Sequence, residues 1–311
     1  MRIERGVSLT PFTSLRVGGP ADYFLIAREA SEMVAALSWA RGEGIEVRII
    51  GGGSNLLVAD AGIPGLVIKA ATSTTEVHAC AGVPVLRASA GATLATVARR
   101  LAKQGLGGLE WAATVPGTVG GAAVNNAGAF GGDTAACLLR LRCVDADGQV
   151  LELGPAELGY AYRTSVLKGR QLGDLGVIEV DLRLQPSTPE QAQRAVSTFH
   201  AQRLRAQPRI KSAGSVFANP AGTYAGKLID EAGLKGTRQG GAQISEQHAN
   251  FIVNPGGATA RDVYALMRCA QQRVWDQAGV WLEPEIELMG RWSAAERQAL
   301  RRPDQDGSPR A

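Results

Sequence analysis

Two glycine-rich segments are the places where this chain's backbone could meet an anion. The β-branched run Val47–Ile50 leads straight into Gly51, Gly52, Gly53, Ser54 and Asn55. Further on, residues 111–132 include Pro116, Gly117, Gly120 and Asn126 and carry no charged side chain. Successive backbone N–H groups in such loops form a concavity that binds phosphate without a cation. The same glycines serve equally well as plain turns, and spacing alone leaves both readings open. A Rossmann fingerprint requires a helix directly after its glycines. Here Leu56, Leu57 and Val58 read as a strand, which disfavours that site.

Other groups offer chemistry with an ordinary alternative beside each. Arg203, Arg205, Arg209 and Lys211 form a basic stretch suited to a diphosphate, or simply a solvated helix end. Glu283, Glu285 and Glu287 alternate with Leu282, Ile286 and Leu288, which would put three carboxylates on one face of a strand. Such a face is ordinarily just solvated. Ser215 follows Gly214 with no histidine nearby and no G-x-S-x-G elbow, so a hydrolase triad is unsupported. Cys80, Cys137, Cys143 and Cys269 form no C-x-x-C pair. Neither a metal site nor a redox dithiol is therefore expected, and the four read as buried thiols of a reducing compartment.

The elements that must position these groups suit a two-domain globular chain. It has 311 residues, 45% of them apolar and 20% charged. The pI is near 9.0, but no long basic run points to nucleic acid. The first residues lack the apolar core of a signal peptide. Residues 111–132 nominally reach membrane-spanning length, but their glycines, Pro116, Asn125 and Asn126 exclude a lipid-facing helix. A strand is expected over 21–27, then a helix capped by Ser31 with Met33, Val34 and Leu37 on one face. Thr93 starts a second amphipathic helix, with Leu94, Val97, Ala98 and Leu101 in register. Asp147-Gly148 marks a hairpin, and residues 177–184 a further strand. Helices are expected from near Thr223 and Thr259, and a closing strand over 280–288. A polar, proline-bearing stretch at 186–193 sets the boundary between domains 1–190 and 191–290, leaving 291–311 as a frayed polar tail.

Three groups of motifs together resemble the UDP-N-acetylenolpyruvoylglucosamine reductase family. The first comprises residues 13–21 (Thr-Ser-Leu-Arg-Val-Gly-Gly-Pro-Ala) and 49–57 (Ile-Ile-Gly-Gly-Gly-Ser-Asn-Leu-Leu). The second is 108–111 (Gly-Leu-Glu-Trp), 115–122 (Val-Pro-Gly-Thr-Val-Gly-Gly-Ala) and 125–129 (Asn-Asn-Ala-Gly-Ala). The third is 213–220 (Ala-Gly-Ser-Val-Phe-Ala-Asn-Pro), 228–230 (Leu-Ile-Asp) and 281–285 (Trp-Leu-Glu-Pro-Glu). The similarity runs from about residue 9 to 289. The short interval between Arg163 and Ser215 matches the family's shorter branch, which lacks the insert carrying a substrate-capping tyrosine.

The resemblance implies an α+β fold: a vanillyl-alcohol-oxidase or PCMH-type FAD-binding domain with a smaller α+β substrate-binding domain. It implies non-covalent FAD at Gly51, Gly52, Gly53, Ser54, Asn55, Pro116, Gly117, Gly120 and Asn126, with NADPH as hydride donor. The implied substrate is a UDP-sugar enolpyruvyl ether, reduced in the cytoplasm for peptidoglycan synthesis, cell-wall biogenesis, cell shape, division and the cell cycle. No nucleic acid, membrane or obligate protein partner is implied. Arg163 matches the family's catalytic arginine, Ser215 its proton-donating serine, and Glu285 the carboxylate that assists the intermediate. Tyr162, Arg205, Asn219 and His248 match substrate positions. The rival readings are another PCMH-type flavin oxidase or dehydrogenase, and a non-catalytic sugar-nucleotide-binding protein.

Overall fold

The computed structural model describes residues 1–168, 171 and 174–302; the last part of the expected tail, 303–311, lies outside the described residues. Helices and strands are mixed without a repeating unit, an α+β chain. It divides into two compact units. One comprises Met1–Arg5, Tyr23–Gly52 and Gly65–Arg205; the other comprises Gly6–Asp22, Gly53–Pro64 and the chain from Ala206 onward. Within the polar stretch expected to mark the domain boundary, the helix Pro189–Ala206 begins. Proline fits a first helical turn, where its missing N–H is not needed.

In the first unit, Val47–Ile50 pairs in parallel with Ile63–Ala70, Ile49 opposite Ile68. The helix Ala30–Gly42 buries Met33, Ala36, Leu37 and Ala40 in a core shared with Leu66 and Ile68. Its cap is Glu29, not Ser31; the helix begins one residue before the serine, whose hydroxyl donates to Glu29. A five-stranded antiparallel sheet follows, in the order Val150–Leu153, Leu138–Val144, Gly176–Arg183, Val83–Ser89, Thr75–Cys80. The expected hairpin joins the first two, Val144 opposite Val150. Leu86, Leu141, Val180 and Leu182 meet Leu94, Val97 and Leu101 of the helix Leu94–Lys103 in one core. Each fully buried aliphatic side chain contributes about 1.5–3 kcal/mol.

The second unit has its own core of Leu15, Leu57, Phe217, Ile229, Val263, Leu266, Met267 and Leu282. Thr259 caps the helix Ala260–Ala278, its hydroxyl accepting from the Asp262 N–H at 3.1 Å. The expected closing strand shrinks to Glu287–Met289, parallel to Leu56–Val58. Pro284 has no N–H to donate, and the N–H groups of Glu285 and Ile286 both turn to Val216 O, so a regular ladder starts only at Glu287. The three glutamates therefore do not alternate along one strand face. Nor is the start of the tail frayed: Ser293 caps the helix Ala294–Ala299, and Trp292 and Leu300 are buried beside it. Two of the four thiols differ from expectation. Cys137 and Cys143 are buried, and burial pushes both up to about 12, whereas Cys80 is exposed and Cys269 half-buried. Among the described residues no helix is long and apolar enough to cross a membrane.

Candidate active site

The two glycine loops meet within the first unit. A Cβ on Gly52 would stand 2.7 Å from the Gly117 Cα, and one on Gly51 would collide with the Thr118 hydroxyl. Backbone thus touches backbone where any side chain would force the loops apart. Lys69, from the neighbouring strand, donates from Nζ to Gly51 O at 2.9 Å. Burial lowers the pKa of this half-buried ammonium. Sequence reasoning missed Lys69, although a lone cation after Leu66, Val67 and Ile68 in a buried strand was a readable signal.

The second loop leads into the helix Val119–Asn125, capped by the Thr118 hydroxyl, which accepts from Gly121 N at 3.3 Å. The Gly120 N–H is already donated to Ala90 O at 2.8 Å, and a Cβ there would meet the Ala90 Cβ. Gly120 thus lets the helix rest on Ala90, while Pro116 is exposed. Asn126 ends the helix in the left-handed region, φ 43°. Its amide nitrogen donates to Ala161 O at 3.1 Å and its amide oxygen accepts from Ala135 N at 2.9 Å.

That amide braces the turn carrying Arg163. Ala161 and Thr164 exchange backbone hydrogen bonds of 3.3 Å, and Arg163 between them has φ 57°. A non-glycine residue there costs about 1–2 kcal/mol, a strain met at sites whose surroundings over-determine the conformation. Its guanidinium donates to Gly128 O at 2.7 Å and Asn126 O at 3.3 Å and lies 5.2 Å from the centroid of the Tyr162 ring, which is 59% exposed.

The second unit holds Ser215, Glu285, Asn219 and His248. The Asn55 amide donates to Glu285 O at 3.1 Å, and Asn55 O accepts from Glu287 N at 2.9 Å. Asn55 is thus fixed on the backbone that presents Glu285. The Glu285 N–H donates to Val216 O at 2.8 Å, which places Glu285 beside the residue following Ser215. Gly53, φ 62°, accepts from Ser14 N at 3.0 Å. Asn219 is exposed and caps its segment by accepting from Ala225 N at 3.1 Å. His248 is half-buried against Phe251, ring centroids 4.8 Å apart. Burial lowers its pKa, consistent with Nδ1 accepting from Asn250 N at 3.2 Å. Arg205, Arg209 and Lys211 are exposed and Arg203 is half-buried.

Residues 205–289 match the family described as the UDP-N-acetylenolpyruvoylglucosamine reductase C-terminal domain, and residues 21–154 match an FAD-binding domain. A UDP-N-acetylenolpyruvoylglucosamine reductase of Synechococcus sp. (strain JA-3-3Ab) is 43% identical over 93% of this chain and 92% of its own length. That of Rubrobacter xylanophilus is 41% identical over 91% and 93%. A crystal structure of the reductase from Thermus caldophilus superposes with a TM-score of 0.79 at 38% identity, covering 93% of this chain and 99% of that one.

Proposed function

The chain belongs to the UDP-N-acetylenolpyruvoylglucosamine reductase family, and from that premise we propose how its own residues carry out the reaction. It is an oxidoreductase that reduces UDP-N-acetylglucosamine enolpyruvate to UDP-N-acetylmuramate in peptidoglycan precursor synthesis. The single observation that carries the flavin reading is the backbone contact of Gly52 with Gly117. It brings two uncharged glycine loops into backbone contact with no room for a side chain between them, and backbone N–H groups of such loops are the kind of surface a pyrophosphate accepts. Residues 51–55 with Pro116 and Gly117 would hold FAD non-covalently, and Gly120 and Asn126 would support them through packing and hydrogen bonds. FAD, when bound, supplies hydride transfer from NADPH to the enolpyruvyl double bond.

The remaining chemistry falls to side chains. Hydride arriving at the terminal carbon leaves negative charge on the carbon bearing the carboxylate, delocalised as an enediolate. Arg163 grips that carboxylate, because its planar fork stays charged at any working pH. Ser215 gives its hydroxyl proton to the carbon, and Glu285 polarises the intermediate and organises protonation. Arg205, Asn219 and His248 bind the UDP-sugar, and Tyr162 borders the nicotinamide. On this reading, the work divides between an FAD-binding domain, 1–190, and a substrate-binding domain, 191–290. The enzyme acts in the cytoplasm, without nucleic acid, membrane or an obligate protein partner, and its product serves cell-wall biogenesis, cell shape, division and the cell cycle.

The test is an anaerobic incubation with NADPH and the enolpyruvyl substrate, read by mass spectrometry. The account requires the UDP-sugar to gain two hydrogens for each NADPH consumed. NADPH consumption that needs oxygen and leaves the UDP-sugar unchanged would assign an oxidase instead.

A further inference from the structure

Asn250 is 3% exposed and holds the backbone of one residue from both sides. Its amide oxygen accepts from Phe217 N at 3.0 Å, and its amide nitrogen donates to Phe217 O at 2.8 Å. Its own carbonyl accepts from Val216 N at 2.9 Å, so both residues after Ser215 are fixed by one side chain and its backbone. Val216 O in turn receives the Glu285 N–H at 2.8 Å, and the Asn250 N–H donates to His248 Nδ1 at 3.2 Å. Three proposed site residues thus connect to one buried residue: Ser215 through the Phe217 backbone that the side-chain amide holds, Glu285 and His248 through the backbone of Asn250. A carboxylate cannot donate to Phe217 O, and an aliphatic residue would leave two buried backbone groups unpaired.

We propose that Asn250 is the positioning residue of the protonation step, setting where the Ser215 hydroxyl stands relative to Glu285. The proposal rests on the proton-donating reading of Ser215 given above. Proton delivery to carbon demands close placement, and displacement of about 1 Å costs about 10²-fold in rate. Loss of the clamp therefore slows protonation without touching hydride entry from NADPH.

The test uses the FAD-loaded enzyme and follows each half-reaction by anaerobic stopped flow. Asn250→Asp retains the shape and the acceptor but loses the donor. Bleaching by NADPH should stay within about twofold of wild type, while colour recovery with the enolpyruvyl substrate slows about tenfold or more. In a Ser215→Ala background the same change should add less than about threefold, because the group being positioned is gone. Recovery at the wild-type rate in Asn250→Asp overturns the proposal. So does full additivity with Ser215→Ala, and so does loss of bleaching together with recovery, which marks a residue of the fold alone. Wild-type recovery in Ser215→Ala by itself would instead sink the reading of Ser215.

Discussion

Gly52 and Gly117 touch backbone to backbone, with no room for a Cβ on Gly52, which would stand 2.7 Å from the Gly117 Cα. The obstructing atom belongs to the main chain, so it cannot rotate away. Gly52→Ala must part the two loops. Apoprotein titrated with FAD, followed by flavin fluorescence, should show affinity reduced about tenfold or more, with the far-ultraviolet circular dichroism unchanged. Wild-type affinity would mean that these loops do not hold the flavin.

Arg163 holds two backbone carbonyls, those of Asn126 and Gly128, with separate guanidinium nitrogens. A lysine keeps the charge but has no fork. Arg163→Lys should lower kcat/KM for the enolpyruvyl substrate about 10²-fold and leave bleaching by NADPH near its wild-type rate. An unchanged kcat/KM would remove Arg163 from the site.

His248 should make stability depend on pH. Burial holds its pKa below the ordinary 6.5, so on acidification the unfolded chain takes up a proton before the folded one does. The stability from the neutral ring is complete above about pH 6.5 and is lost as pH falls from there through the lowered folded-state value. Urea midpoints should fall for the wild type between about pH 7.5 and about pH 5.5, and fall less for His248→Gln. Parallel curves for the two proteins would contradict this.

Asp181 is 4% exposed and lies between Arg87 Nε at 3.0 Å and Arg140 Nε at 2.7 Å. Burial alone would raise its carboxyl, but hydrogen bonds from the two arginines outweigh that and hold it below the usual carboxylate range. Asp181→Asn leaves two guanidiniums without their shared charge. Because both arginines are partly exposed, the expected loss is about 2 kcal/mol rather than the larger cost of a fully buried pair. Chemical denaturation at neutral pH measures it, and an unchanged midpoint would count against the ion pair.

Much of the fold was legible where periodicity decides it. The run at 47–50, the helix after Thr93 and the hairpin at Asp147 follow from local pattern, and the structure has each. The glutamates at 283–287 misled because alternation was read as a strand, although Pro284 cannot donate to a ladder and Val216 captures the next N–H groups. The tail misled because its polar composition hid Trp292 and the Ser293–Glu296 cap. Arg163, Ser215 and Glu285 were singled out by resemblance, since a lone arginine or serine carries no local signal. Asn250 and Lys69 were missed because their partners are backbone atoms remote in sequence. Each nevertheless stands as a polar residue in a buried apolar run, beside Phe251, Ile252 and Val253 or after Leu66, Val67 and Ile68.

The visible spectrum of the purified protein, recorded anaerobically, tests the central claim most directly. The account predicts a yellow protein that bleaches with NADPH and regains its colour on addition of UDP-N-acetylglucosamine enolpyruvate. A protein that regains colour only with oxygen, or stays colourless after FAD is supplied, would contradict it.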